Sequence, residues 1–328
     1  MPDHEQSMKA IVHERYGRPD LLQLRDVTRP VIDDDQVLVR VHASSVNPVD
    51  WYGVTGFYFA RIGNGMRKPK DITVGADLAG RVEAVGRNVT DLQPGDEVFG
   101  TSEASWAEYA PARAERLARK PANLSFEQAA AVPLAAITAL QALRDSGRVQ
   151  PGQKVLINGA SGGVGTFAVQ IAKSFGAEVT AVCSTRNVEQ AHALGADRVV
   201  DYTKEDFTSC GVRHELMLDI AGRRSFLACR RVLTSEATFV LIGGRMTYRG
   251  LGPLPHIAGS ILKSRFRSQS VTFFVAKITT EDLAFLSELL EAGKLTPVID
   301  RTYPLSETPE ALAYLGEGHA RGKIVIAA

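Results

Sequence analysis

Residues 155–165, VLINGASGGVG, restrict the fold of this chain more than any other stretch. Three apolar residues that read as a buried strand run into a turn with four glycines. The next segment, TFAVQIAKSF, places apolar residues at helical spacing and ends before Gly176. The order is therefore strand, glycine turn, helix. Within the turn, Ala160, Gly162 and Gly165 form AxGxxG, a variant of the dinucleotide-binding fingerprint with alanine at its first position.

Each glycine of the fingerprint has a physical role in holding a nucleotide. Gly162 would let the backbone approach a pyrophosphate, and Gly165 would let the helix pack closely on the strand. The helix N-terminus offers N–H groups to the anion. A tight turn that serves packing alone is the alternative. Because the strand and the helix are both present, the sequence predicts a dinucleotide site.

The rhythm of the chain predicts an α/β fold in two domains. Up to about residue 120, short alternating runs between turn residues favour antiparallel strands. From about Phe126, strands and helices alternate, which is typical of a parallel sheet. The closing segments return to the strand pattern of the first part of the chain. We therefore predict one domain over 1–130, a second over 131–276, and a return to the first domain over 277–328.

Composition excludes several classes of partner. A formal net charge of +1 over 328 residues gives no electrostatic basis for binding nucleic acid or a membrane surface. The apolar stretch AAAVPLAAITALQAL is interrupted by Pro133 and is too short to span a bilayer, so it is predicted to be a buried helical segment. The first residues contain no apolar signal core. Three cysteines without CxxC spacing indicate a reducing compartment, and we predict a cytoplasmic location.

The segment after the second strand, AVCSTRNVE, bears on which dinucleotide is bound. NAD sites usually carry an acid there, whereas Cys183 or Ser184 occupies that position in this sequence. Arg186 supplies a planar, permanently charged donor, and Ser184 and Asn187 add smaller donors. The pattern favours NADPH. The alternatives are that Arg186 is a solvated loop residue and that Tyr202, a candidate neighbour of the adenosine, is half-buried packing.

Several motifs in a fixed order resemble a known family. They are MKAIV, VNPVDW, GADLAGRVEAVG, LQPGDEVFG, NGASGGVG, LGADRVVDY and GHARGK. Together they cover nearly the whole chain and look like the zinc-independent quinone oxidoreductase branch of the medium-chain dehydrogenase/reductase superfamily. The chain is especially similar to the chloroplast-envelope quinone oxidoreductase homologues. The resemblance implies a GroES-like, mainly antiparallel β catalytic domain beside a Rossmann doubly wound parallel-sheet domain, with the nicotinamide in the cleft between them.

The resemblance also implies which residues surround NADPH. Gly163 and Val164 would touch the pyrophosphate, and the nicotinamide would lie near Thr138. The remaining expected contacts beyond the fingerprint are Ser184, Thr185, Arg186, Asn187, Tyr202, Ile242, Gly243, Gly244, Phe273, Phe274, Gly322 and Lys323. A threonine inside a helix often bonds only to its own backbone. Likewise, Lys323 has the alternative of pointing into solvent from a packed strand.

Zinc relatives carry a cysteine in the segment that here reads SSVNPVD, and a His-Glu pair in the segment that here reads Gly75, Ala76, Asp77. Catalytic zinc normally needs three Cys, His or carboxylate ligands, so no metal is predicted, and His42 is interpreted as structural. Without a Lewis acid, a conjugated acceptor is favoured, because its oxygen needs only hydrogen-bond donors. Donor candidates are Tyr52, Asn47, Asp50 and Thr138, together with the cofactor ribose. For Asn47 and Asp50, turn formation is an equal alternative.

These features predict an NADPH-dependent reductase of quinones or α,β-unsaturated carbonyls. An alcohol or aldehyde dehydrogenase and an NADPH-binding, crystallin-like protein without an enzymatic role are the alternatives. The segment over 55–70 differs from the shorter form common in the family. Its residues Phe57, Tyr58 and Phe59 would flank an acceptor while Met66, Arg67 and Lys68 form a lid, or the segment is a clamped surface loop. The strand SVTFFV is predicted at a sheet edge, where a homodimer would form.

Overall fold

The computed structural model describes residues 7–244, 254–264 and 268–328 of the chain. Within these ranges the protein forms a parallel sheet, a mainly antiparallel sheet and a separate two-stranded ribbon. The described helices include none that is both long and apolar enough to cross a bilayer.

The first part of the chain is built from strands, with two short helices inserted after the third. The strands are β1 (Ser7–Val12), β2 (Gln23–Thr28), β3 (Gln36–Val46), β4 (Asp77–Val85), β5 (Glu97–Thr101), β6 (Tyr109–Arg113) and β7 (Leu117–Arg119). The helices are α1 (Pro48–Thr55) and α2 (Tyr58–Asn64). Strand β3 is long enough to pair with β4 along its length and with β6 at its beginning.

The middle of the chain alternates helices and strands. Its helices are α3 (Phe126–Ala130), α4 (Pro133–Gln141), α5 (Gly163–Ser174), α6 (Val188–Ala193), α7 (Phe226–Cys229) and α8 (Leu254–Ser264). Its strands are β8 (Lys154–Asn158), β9 (Glu178–Cys183), β10 (Arg198–Asp201), β11 (His214–Asp219), β12 (Leu233–Leu241) and β13 (Ser270–Phe273).

These six strands form a parallel sheet in the order β10-β9-β8-β11-β12-β13. Counted from β8, the order is 3-2-1-4-5-6, the doubly wound Rossmann order. It reverses at β8, and ligands of such sheets bind at the carboxyl ends of the strands beside that point. The predicted Rossmann sheet is confirmed, and β13, which contains most of SVTFFV, lies at its edge as predicted.

The end of the chain returns to the first sheet, as predicted. It contains α9 (Thr280–Glu291), β14 (Ile299–Pro304), α10 (Thr308–Glu317) and β15 (Lys323–Ala327). Strand β15 pairs antiparallel with the end of β3 and parallel with β14. The first residue of β15 therefore lies beside the chain that leads from β3 into α1.

The two sheets share one apolar core around α4. The small residues Ala135, Ala136 and Ala139 are buried between Phe99 of the antiparallel sheet and Ile157 of the parallel sheet in a single cluster. Small side chains on α4 let it pack closely against α5. The nucleotide turn and the antiparallel sheet are therefore held in one packed unit.

The buried helical segment predicted over 129–143 is divided in the structure. Pro133 has no N–H to continue α3 and instead occupies the first turn of α4. After α7, a 3-10 turn follows Cys229, and β12 begins at Leu233.

Candidate active site

The glycine turn follows the carboxyl end of β8, where the strand order reverses. Gly159 has φ 95°, a left-handed conformation that favours glycine. A Cβ atom at Gly165 would lie 2.1 Å from the carbonyl oxygen of Gly159, so α5 packs on the turn more closely than a side chain permits. Gly162 is the N-cap of α5 and Gly163 is its first residue.

The turn fits a pyrophosphate. The first N–H groups of a helix have no intrahelical acceptor, and they carry the positive end of the helix dipole. A Cβ atom at Gly162 would meet only the Gly159 carbonyl oxygen, at 3.7 Å, so the backbone there is open to a ligand. Ala160 and Val164 pack against the core and support the turn from behind.

The chain after β9 places a buried amide at the expected adenosine end of the site. The Asn187 side chain is 4% exposed, and its Nδ2 atom donates to Ser161 Oγ at 3.0 Å and to Ser184 Oγ at 3.1 Å. Arg186, which is exposed, donates to the carbonyl oxygen of His319 in the loop before β15. The structure thus brings together Ser184, Arg186 and Asn187 as the sequence predicts.

Arg321 is a further cation at this end that sequence reasoning missed. Its Nε atom donates to Asn187 Oδ1 at 2.8 Å, and its Nη2 atom donates to the carbonyl oxygen of Arg186 at 3.1 Å. The arginine is visible in the GHARGK motif, directly before Gly322. Its closeness to Asn187 depends on the return of the C-terminal segment, which no local pattern specifies.

Thr185 and Tyr202 lie at the rim of the same end. The Thr185 hydroxyl donates to Asp201 Oδ2 at 2.6 Å, and Thr203 also donates to this carboxylate. The Thr185 hydrogen bond, with help from Thr203, lowers the pKa of Asp201 to about 2, so its carboxylate is ionised. Tyr202 is 51% exposed, which leaves its ring accessible to a ligand.

The carboxyl ends of β11 and β12 form the floor toward the expected nicotinamide end. The backbone N–H of Ile242 donates to the Asp219 carbonyl oxygen at 3.0 Å. A Cβ atom at Gly243 would lie 2.5 Å from the Ile220 carbonyl oxygen, so glycine is required there by close packing. A Cβ atom at Gly222 would likewise be too close to the backbone of Gly244.

Two aromatic residues predicted near the nicotinamide have different environments. Phe273, at the end of β13, is 43% exposed. Phe274 is partly buried and packs against the central core. Phe273 is therefore the more accessible ring of the two.

Asn47 and Asp50 form a capping box at the start of α1. The backbone N–H of Asn47 donates to Asp50 Oδ2 at 2.8 Å, and the Asn47 side chain accepts from the Asp50 backbone. Both side chains are buried. The turn-forming role that the Asn-Pro sequence allows is therefore present in the structure.

The pKa of the Asp50 carboxyl is raised to about 7. The main cause is burial, which disfavours the charged form, and the Asp77 carboxylate adds to it. The hydrogen bond from the Asn47 backbone and the Lys323 ammonium act in the opposite direction. Near neutral pH this buried acid is therefore close to the middle of its titration.

Asp77 and Lys323 form a buried ion pair beside this turn. Lys323 Nζ lies 3.2 Å from Asp77 Oδ2, and the two side chains are 3% and 0% exposed. Lys323 also donates to Asn47 Oδ1. The solvent-directed orientation left open for Lys323 is therefore wrong. The sequence indicates Asp77 only as part of a vacated metal-ligand segment. Its role in an ion pair is not visible there, because its partners are distant in sequence.

Tyr52 is half-buried on α1, and its ring lies against Phe57 with 5.1 Å between centroids. Burial raises the pKa of its hydroxyl, which keeps the group protonated at neutral pH and able to donate. By contrast, the Thr138 hydroxyl donates to the Leu134 carbonyl oxygen at 2.6 Å, the helical back-bond considered as its alternative.

The segment over 55–70 contains α2 and is tied to the N-terminal region. The Tyr16 hydroxyl donates to the Gly65 carbonyl oxygen at 2.8 Å, and the Arg61 guanidinium lies 4.8 Å from the Tyr16 ring centroid. Tyr58 and Met66 are each 51% exposed, and Arg67 and Lys68 are also exposed. The side chain of Phe59 lies outside the described part. These contacts correspond to a clamped segment with an accessible surface.

His42 has a structural environment. Its ring stacks on Phe126 with 4.2 Å between centroids, and its Nδ1 atom lies 3.1 Å from the Arg40 carbonyl oxygen. In the part of the chain that the structure describes, no three His, Cys, Asp or Glu side chains are grouped so as to hold a metal ion.

Two family models match the chain. Residues 33–124 match the alcohol dehydrogenase GroES-like domain, and residues 194–326 match the zinc-binding dehydrogenase family. Human quinone oxidoreductase is 33% identical over 99% of this chain and 99% of its own length. The chain belongs to the medium-chain dehydrogenase/reductase superfamily. This confirms the resemblance to the superfamily and to its quinone oxidoreductases.

Other members of the superfamily show the same likeness along nearly the whole chain. The chloroplastic NADPH-dependent alkenal/one oxidoreductase of Arabidopsis thaliana is 34% identical over 97% of this chain and 79% of its own length. The solved structure of the quinone oxidoreductase from Coxiella burnetii superposes with a TM-score of 0.88 at 31% identity, covering 98% of this chain and 100% of that one. The GroES-like and Rossmann architecture is therefore confirmed.

Proposed function

We propose that this protein is an NADPH-dependent oxidoreductase that reduces quinones or α,β-unsaturated carbonyl compounds by hydride transfer. The observation that carries the proposal is the position of β15. The loop before it brings Arg321 to the adenosine end of the site, and its first residue, Lys323, joins the glycine turn to the helix that carries Tyr52. The names of the similar quinone and alkenal/one oxidoreductases support the same chemistry.

The cofactor would lie across the carboxyl ends of the parallel strands. Gly162, Gly163 and Gly165 would hold its pyrophosphate against the N-terminus of α5. Toward the nicotinamide we place Ile242, Gly243, Gly244 and Thr138, with Phe273 accessible beside them and Phe274 behind. When bound, the cofactor supplies a hydride equivalent.

The 2′-phosphate of NADPH would lie between Arg186 and Arg321. Both residues are exposed. The Arg321 guanidinium donates to Asn187 Oδ1 and to the backbone carbonyl of Arg186, and the Arg186 guanidinium donates to the carbonyl oxygen of His319. A guanidinium is permanently charged and suits a phosphate dianion. Asp201 is an acid at this end that argues for the unphosphorylated coenzyme, but its oxygens accept from Thr185 and Thr203.

Tyr52 is the residue that we place next to the acceptor oxygen. Hydride addition to a conjugated carbon moves an electron pair onto that oxygen, and one proton then completes the two-electron reduction. A protonated, half-buried phenol stabilises the developing charge by a hydrogen bond. Asn47 and Asp50 would act from the start of α1. Asn47 would fix the turn, and Asp50 would act as a buried acid near its titration midpoint.

The chemistry proposed here needs no metal. Asp77, in the segment where zinc relatives carry a ligand pair, already accepts hydrogen bonds from protein donors on both of its oxygens. The buried cation beside it is the Lys323 ammonium. An α,β-unsaturated acceptor spreads negative charge over a conjugated system, and organic donors suffice to stabilise it.

A panel of acceptors tests the proposed function. Quinones, enals, enones and simple ketones would be assayed with NADPH and with NADH, before and after dialysis against a chelator. We expect oxidation of NADPH with quinones or conjugated carbonyls, a preference over NADH, and no loss after chelation. Activity confined to alcohols and aldehydes and abolished by chelation would show a metal-dependent dehydrogenase instead. Tight NADPH binding without acceptor-dependent oxidation would show a binding protein.

We also propose a homodimer formed through the exposed edge of the parallel sheet. Among the described strands, β13 has a partner on one side only, and the adjoining Val275 is 77% exposed. A two-fold axis at this edge would cover an apolar strand. Sedimentation equilibrium of the wild-type protein tests it.

A cytoplasmic location and domain boundaries near residues 130 and 276 remain proposals. The cytoplasmic location is supported by three free cysteines.

A further inference from the structure

Asp77 collects donors from three distant parts of the chain. Its Oδ2 atom accepts from Ser45 Oγ at 2.6 Å and Asn47 Nδ2 at 2.9 Å, and it forms the ion pair with Lys323. Its Oδ1 atom accepts from the backbone N–H of Leu134 at 2.9 Å, in the first turn of α4. One fully buried carboxylate therefore fixes the end of β3, the start of α4 and the start of β15 relative to one another.

Lys323 extends this arrangement to the glycine turn. Its Cδ atom lies 3.0 Å from the position that a Cβ at Gly163 would occupy, so its aliphatic stem packs against the first residue of α5. Its ammonium reaches in the other direction to Asn47 and Asp77. The same side chain therefore contacts the predicted pyrophosphate turn and the N-cap of α1.

Stability alone does not explain a charged pair in this position. Removing two charges from water costs several kcal/mol, and an apolar pair of similar volume is often at least as stabilising. What a hydrogen-bonded ion pair adds is a defined geometry, because its atoms must meet at fixed distances and angles. The nearby Asp50 carboxyl faces Asp77 and Lys323, so the charge of the pair also acts on that group.

We propose that Asp77 and Lys323 form a positioning pair that couples occupancy of the nucleotide turn to the order of helix α1, which carries Tyr52. The inference rests on the proposed function, since it assigns the glycine turn to the cofactor and α1 to the acceptor. A ligand on the turn restrains Gly163, the Lys323 stem transmits that restraint, and the ammonium fixes Asn47 at the start of α1.

Amide hydrogen exchange of α1 measures this coupling without using catalysis. In the wild-type protein, saturating NADPH is expected to slow exchange over Pro48–Thr55 by about tenfold, a common size of coupling between two sites. In Lys323→Met the stem remains on Gly163 but the charge is lost. We expect saturating NADPH, with saturation set from the measured Kd of this variant, to leave exchange in α1 unchanged.

Lys120→Met is the matched control. The Lys120 side chain is also buried, and its ammonium pairs with Glu97 at 3.2 Å. The ammonium also donates to the carbonyl oxygens of Pro121 and Leu124 and lies over the Phe126 ring, and none of these residues belongs to α1 or to the glycine turn. This variant should lose stability and still show slower exchange in α1 when NADPH binds. If Lys323→Met does not fold, Asp77→Asn replaces it, because the amide keeps the shape of the side chain and removes the ion pair.

The outcomes separate this inference from the proposed function. Loss of the NADPH effect in Lys323→Met or Asp77→Asn, with retention in Lys120→Met, supports the positioning pair. An undiminished effect in folded Lys323→Met or Asp77→Asn overturns it, as does loss in Lys120→Met. If the wild-type protein shows the coupling but none of the tested acceptors supports oxidation of NADPH, the proposed function is overturned and the positioning pair is not.

Discussion

The Nε atom of Arg321 lies 2.8 Å from the side-chain oxygen of Asn187, which joins the loop before β15 to the end of β9. Asn187 is buried and in turn holds Ser161 and Ser184. The contact orients a guanidinium beside Arg186 before any ligand arrives. A site prepared in this way loses less side-chain entropy when it binds a phosphate.

Arg321→Met is expected to weaken the binding of NADPH but not that of NADH. Loss of one charge-assisted contact with the 2′-phosphate should raise the KM for NADPH by about 10- to 100-fold, while the KM for NADH changes little. Steady-state kinetics with each coenzyme measures the effect. Arg116→Met, at an exposed arginine paired with Glu103, is the control and should change neither value. An equal loss for both coenzymes would show that Arg321 supports the fold rather than the phosphate.

Tyr52→Phe is expected to lower turnover more than cofactor binding. Removing the hydroxyl that meets the acceptor oxygen should reduce kcat by about 100-fold, with the Kd for NADPH nearly unchanged. Tyr109→Phe, on β6, where the ring packs against the Arg29 guanidinium, serves as the control. Wild-type turnover in Tyr52→Phe would mean that the ring only lines the pocket.

Gly165→Ala tests the packing of the nucleotide turn. The added Cβ would lie 2.1 Å from the Gly159 carbonyl oxygen, which forces backbone movement and should cost about 2–3 kcal/mol of unfolding free energy. NADPH binding should be lost with it. Gly53→Ala, in α1, has no atom within 4 Å of its new Cβ and should instead be stabilising by up to about 1 kcal/mol. Urea unfolding of both variants distinguishes a steric clash at Gly165 from a general effect of replacing glycine by alanine in a helix.

The sequence predicted the parallel sheet and the glycine turn because both depend on local signals: apolar strands, glycine spacing and helical periodicity. Ser184 and Asn187 lie beside Arg186 because the three are neighbours in the chain. Arg321 and Asp77 were missed because their partners, Asn187 and Lys323, lie more than a hundred residues away. Such contacts arise only when β15 returns to β3. The same return decides the orientation of Lys323, which its own strand pattern leaves open.

The raised pKa of Asp50 predicts how stability depends on pH. An unfolded aspartate loses its proton near pH 4, whereas in the folded state burial and Asp77 keep Asp50 protonated up to about pH 7. Between these values the folded state binds the extra proton, so this stabilising contribution is full below pH 4 and is lost as the pH rises through 7. The decline is on the order of 4 kcal/mol. Asp50→Asn cannot titrate there, so the difference in unfolding free energy, wild type minus variant, should fall between pH 4 and 8. A difference that stays constant over this range would show that Asp50 ionises normally in the folded protein.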